Sequence, residues 1–312
     1  MNGMFPMRRA GLTIVAVAVA ATGGIAAAAN PAHATTGHTG KHATILATAL
    51  RGANEVPVAG GPGVGDKDGA ALEFIKVQGN KVSVAVTWRH TGRPTSLHIH
   101  QGAKGTNGSV KIDFGRLLHK AKGHTITGTV KVNDPALLKK LTTDPGSFYA
   151  NLHTAAFPGG AVRGQLHKVT TVVTSRTAAH GFEASVVKGK QIYECKPADG
   201  GGYAFAQRDV RALLGGSIRH SFVKPNSGTP QWIAPDGSAV TGAVIGKTPN
   251  GEGNIPELDL KATPSGRHHG LLAGTTEILR LNTVGGVAPT GSCTPGSIAS
   301  VPYQADYVFV QS

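Results

Sequence analysis

The chain has 312 residues and carries 31 Lys and Arg against 17 Asp and Glu, a formal net charge of +14, with only 5% aromatic residues. Sparse rings and the lack of any long block of like charge argue against a nucleic-acid partner, whose surface pairs clustered Lys and Arg with stacking aromatics. The two cysteines, Cys195 and Cys293, have no second Cys or His at ligand spacing, which argues against a thiolate metal site and for one disulfide.

Residues 1–34 read as a signal peptide. Arg8 and Arg9 give a positive start, Gly11 to Ala21 a short apolar run, and Ala32-His33-Ala34 the small-x-small form of a cleavage site. The run is too short for a membrane span, and none is expected after cleavage. No cysteine follows the cleavage site, so a lipid anchor is not expected either. The mature protein is expected outside the cell or in its envelope. Residues 35–41 are small and polar and are expected to be disordered.

Residues 42–170 read as a first domain of short strands: Ala43–Leu50, Ala70–Val77, Lys81–Trp88, Thr95–His100, Val110–Phe114, His124–Val132, Phe148–His153 and Val162–Leu166. Val82, Val84 and Val86 alternate with smaller or polar residues, as on a half-buried strand. One short helix is predicted, with Asp134 as N-cap and Pro135 opening Ala136 to Leu141. Many short strands with one helix predict an all-β fold, a Greek-key β-sandwich or barrel. Residues 171–180 form a linker. A second β-rich domain, 181–312, is predicted from strands at Lys190–Cys195, Tyr203–Gln207, Ile218–Val223, Ala239–Ile245, Glu257–Ala262, Thr275–Asn282 and Tyr303–Val310.

The first domain is the basic one, with 17 Lys and Arg against 7 Asp and Glu between 35 and 170; from 171 onward the counts are 12 and 10. Outside a cell that charge suits an anionic polymer, with a protein as the other candidate partner. The chemistry centres on His98-Ile99-His100, because alternation puts both imidazoles on one face of a strand. His153 on a neighbouring strand would complete a three-nitrogen site for copper or zinc, with His119, His124 or Asp113 as further donors. Hydrogen-bonded structural histidines are the competing reading. Asp66-Lys67-Asp68-Gly69 lacks the later acids of a calcium loop and reads as a turn. His220 and Asp236 could form a catalytic pair, but no nucleophile accompanies them, and the sequence offers no catalytic residue.

Several blocks carry a resemblance. Leu50 to Pro57 (LRGANEVP), Leu97 to Gly102 (LHIHQG), Gly105-x-Asn107-Gly108, Phe148 to Thr154 (FYANLHT) and Phe157-Pro158-Gly159-Gly160 with Arg163-Gly164-Gln165-Leu166 resemble the CHRD (chordin) domain in order, over 42–168. That resemblance implies an extracellular β-sandwich binding module, and not by itself an enzyme. The His-x-His strand, later His and trailing Arg are also similar to copper–zinc superoxide dismutase. This second likeness implies a superoxide-dismutase-like sandwich, a copper-dependent redox role as the alternative function, and Arg163 as an anion or ligand contact. No counterpart of the dismutase zinc loop lies between His100 and His153. Residues 180–312, with Gly189-x-Gln191-Ile192-Tyr193-x-Cys195, Pro230-x-Trp232 and Leu279-x-Leu281-Asn282-Thr283, resemble an uncharacterised family of exported proteins. There the resemblance implies a fold and a Cys195–Cys293 pairing only.

Overall fold

The computed structural model describes residues 43–171, 174, 178 and 180–311. The expected signal peptide, the 35–41 segment and most of the 171–180 linker lie outside the described residues. Nine strands form the first sheet: β1 (Thr44–Arg51), β2 (Ala70–Gln78), β3 (Lys81–Arg89), β4 (Pro94–Gln101), β5 (Ser109–Asp113), β6 (Thr125–Lys131), β7 (Phe148–Thr154), β8 (Val162–Gln165) and β9 (His167–Val169). Their order is β5-β4-β7-β8-β1-β2-β3-β6, with β9 beside β1. Ile112 from one edge strand and Ile126 and Val130 from the other share one core with Leu46, Leu50, Val84, Leu97, Ile99 and Leu152. The sheet is therefore curled, and the expected sandwich takes the form of one continuous sheet closing over its own apolar face.

The predicted helix α1 (Pro135–Thr143) starts where the sequence places it: the Asp134 carboxylate accepts from the Leu137 N–H at 2.9 Å, and Leu138 and Leu141 are buried.

The second sheet is a closed antiparallel barrel of β10 (Phe182–Pro197), β11 (Tyr203–Leu214), β12 (Ile218–Phe222), β13 (Pro230–Ile233), β14 (Ala239–Thr248), β15 (Glu257–Pro264), β16 (Thr275–Gly285) and β17 (Ile298–Gln311). Strand β17 pairs with both β16 and β10 and so completes the ring. Strand β13 was not anticipated; it has four residues, begins with a proline and shows no alternation long enough to recognise. Cys195 and Cys293 form the expected disulfide, 98 residues apart in sequence with Cα atoms 5.9 Å apart.

An apolar layer joins the two sheets. Ile45, Ala47, Ala49, Leu72 and Phe74 on the outer face of β1 and β2 pack with Leu279, Leu281, Val308 and Val310 of β16 and β17. Strand β1 is thus covered on both faces, which is why Ile45 to Leu50 runs almost unbroken in apolar residues instead of alternating.

Candidate metal centre

Alternation on β4 sends Leu97 and Ile99 into the core and leaves His98 and His100 on the outer face. In the antiparallel pairing with β7, His98 stands opposite Asn151, His100 opposite Tyr149 and Ser96 opposite His153. Directly paired residues share a face, so His153 joins the other two histidines there. Ring centroids are separated by 5.6 Å (His98–His100), 5.3 Å (His98–His153) and 6.4 Å (His100–His153). One ligand nitrogen from each ring lies within 4.8 Å of the others. A tetrahedral zinc with bonds near 2.05 Å needs nitrogens about 3.3 Å apart, so occupancy would draw the rings together by roughly an ångström.

His100 and His153 are each held through one nitrogen, and all three rings leave one nitrogen without a partner. His100 Nδ1 lies 3.0 Å from the Gly108 carbonyl, and His153 Nδ1 3.0 Å from the Pro158 carbonyl. A carbonyl only accepts, so both rings keep the proton on Nδ1 and present a lone pair on Nε2. Asp113, across from His98 on β5, places Oδ1 at 3.5 Å from His98 Nε2, which favours the opposite tautomer. The remaining atoms, His98 Nδ1, His100 Nε2 and His153 Nε2, are buried and without a hydrogen bond. Outer partners that orient imidazoles this way are the usual surroundings of a metal-ligating histidine. Burial pushes His98 and His100 below the ordinary imidazole value, and the nearby His153 adds to the effect. Both rings are therefore neutral, as metal ligation requires.

Gly108 has to be glycine for this arrangement. A β-carbon there would lie 1.7 Å from the Gln101 carbonyl oxygen, so only glycine lets the loop approach closely enough to orient His100.

Tyr149 stacks on His100 at 4.8 Å and 8°, and the Arg163 guanidinium carbon lies 3.4 Å from the centroid of the same tyrosine ring. Arg163 reaches the histidines only through this stack. It is 2% exposed and donates to Asn107 Oδ1 at 3.1 Å and to the carbonyls of Ala103 and Thr106 at 3.3 and 2.6 Å. The side chain expected as an anion contact is a staple for the 103–107 loop. Glu55 lies nearby; burial raises its carboxyl to about 7, against the opposing pull of Arg163 and of Asn151, whose amide lies at 3.4 Å.

The other sequence candidates separate. Asp113 reaches His98, whereas His124 packs edge-on against Trp88 at 5.6 Å, and neither His119 nor His124 belongs to the cluster. His220 and Asp236 are not paired: His220 Nδ1 donates to the Gln231 carbonyl at 2.9 Å, and Asp236 accepts from Ser238 and from the Leu271 N–H. Asp66 accepts from the Asp68 N–H at 3.3 Å, as a turn does. Sequence reasoning missed Tyr149 and the carbonyls of Gly108 and Pro158. For Tyr149 the signal was present, since it alternates with Asn151 and His153 on one strand. Backbone acceptors leave no signature in side-chain spacing.

A curled β-sheet bearing a three-histidine cluster, joined to a closed eight-stranded barrel, defines a two-part all-β protein. Residues 46–166 match the CHRD domain, and residues 207–311 match the family described as a protein of unknown function (DUF3455). The chain carries a CHRD domain followed by a DUF3455 domain. No curated protein and no solved structure matches it.

Proposed function

We propose that this is an exported, non-enzymatic binding protein whose CHRD domain holds one zinc or copper ion through His98, His100 and His153. One observation carries the reading: three clustered imidazoles each bury one nitrogen without a partner while the opposite nitrogen of each ring faces an oxygen. A set of merely structural histidines would satisfy both nitrogens or expose one to water. Three neutral nitrogen donors suit copper(II) and zinc rather than calcium or magnesium, which take oxygen. The disulfide and the signal-like start of the chain fit an oxidising compartment. Lys76, Lys81, Lys111, Arg116 and Lys131 line one groove of the same sheet, and Asp113 belongs to both that groove and the surroundings of His98. This groove is the proposed seat of an anionic extracellular polymer.

The dismutase-like alternative is weaker because the arginine it needs at the solvent edge is buried against three oxygens. Metal analysis of the purified full chain after exposure to zinc and to copper tests the main reading. About one equivalent in the wild type, lost in His98→Ala and His153→Ala, is the expected result. Equal metal content in all three proteins would overturn it. Retention on teichoic acid should fall steeply with salt and in a Lys81→Glu, Lys131→Glu double variant; unchanged retention would remove the polymer.

A further inference from the structure

The barrel holds a second site, chemically unlike the first and independent of its histidines. A cavity of about 560 Å³ opens among β10–β17, within the range of small-molecule pockets, and an eight-stranded barrel is just wide enough to hold one small ligand. Its wall is aromatic. His220 lies flat against Trp232 at 4.4 Å and 3°, and Tyr307 meets both edge-on at 5.2 and 5.6 Å. Burial pushes His220 down to about 3, so the ring is a neutral stacking partner.

The charged groups of the wall are all cations. Arg280 and Lys247 line the cavity, no carboxylate does, and among the described residues neither cation forms an ion pair. The Arg280 guanidinium is held by a neutral group, the Pro256 carbonyl, at 2.8 and 3.3 Å. A half-buried cation with no carboxylate beside it favours an anion. At the rim, Val244 and Val287 are 56% and 40% exposed, an apolar lip for an apolar body.

We propose that the barrel binds a small aromatic anion of the aryl carboxylate or aryl sulfonate class, with its apolar body beside Phe222, Val244 and Val287 and its charge toward Arg280.

The test uses the full chain and two probes that differ in one group: 1-anilinonaphthalene-8-sulfonate and its neutral counterpart N-phenyl-1-naphthylamine. The sulfonate is expected to bind saturably at one site, about tenfold or more tighter than the neutral amine. Arg280→Gln should remove that preference. Val244→Trp, at an exposed rim position, should weaken both probes by about tenfold without moving the melting temperature. Should Arg280→Gln fail to fold, Lys247→Gln together with Val244→Trp decides the matter. No saturable binding, equal binding of the two probes to the wild type, or indifference to Val244→Trp would each overturn the proposal.

Discussion

Arg51, on the first strand of the CHRD domain, clasps Asp306 on the last strand of the barrel, donating from Nε at 3.0 Å and from Nη2 at 2.7 Å. Nη2 also meets Glu183 and Ser185 of β10, and Arg89 meets the second oxygen of Glu183. Burial alone would raise Asp306, yet the hydrogen bond and charge of Arg51 hold it below the usual carboxylate range. Arg51→Ala would leave the buried Asp306 without its cation and Glu183 with Arg89 alone, at a cost of about 3 kcal/mol. Urea denaturation checks this, and the wild type should unfold in a single transition because the apolar layer ties both sheets together. Two separate wild-type transitions would show that the clasp does not couple them.

Metal affinity should survive mild acid. His98 and His100 are held below the ordinary imidazole value chiefly by burial, so protons compete with the metal only as pH falls through that lowered value. Zinc affinity is expected to fall less between pH 7.5 and pH 5.5 than the roughly thousandfold loss of a site made of three ordinary imidazoles. Removing the oxygen that orients His98, in Asp113→Ala, should cost about tenfold in affinity. Chelator competition measures both.

Glu73 places a carboxyl in the core with 0% exposure, opposite Thr48, and neither carboxyl oxygen has a partner. Burial raises it from 4.5 to about 8. The folded value lies above the unfolded one, so its contribution is intact below about pH 4.5 and declines as pH rises. It is lost once pH passes about 8. By linkage the loss reaches at most about 5 kcal/mol. Glu73→Gln should therefore match the wild type near pH 4.5 and exceed it progressively up to pH 8.5, read as the difference between two urea-stability profiles. A difference that does not change with pH would mean that Glu73 is ionised throughout.

Cys293→Ser should lower stability by about 3 kcal/mol, since the disulfide closes a long loop of the unfolded chain. Reduction of the wild type should reproduce the loss, and a calorimetric scan with and without dithiothreitol compares the two.

Local rules were enough to find most strands, the helix cap and the outward-facing histidines, because alternation and capping act over a few residues. The valines of β3 and the Asp134-Pro135 start of α1 show this directly. What depends on distant partners was not legible. Closure of the barrel by β17 onto β10, the double-sided burial of β1 and the clasp of Arg51 arise from residues more than a hundred positions apart. Arg163 is the clearest case within the site. Its position behind the last histidine matched a pattern in which arginine guides an anion, but the carbonyls that occupy it belong to a loop about sixty positions earlier, and spacing carries no trace of them.

Strand β17 has an unusual standing in the barrel. It follows Cys293, so the covalent circle made with Cys195 does not include it, yet it is the stave that meets both open edges and supplies Tyr307, Phe309 and Asp306. A molecule clipped ahead of Ile298 would keep its crosslink intact and still spring open, giving up the aromatic wall of the cavity and the anchor for Arg51 in one cut.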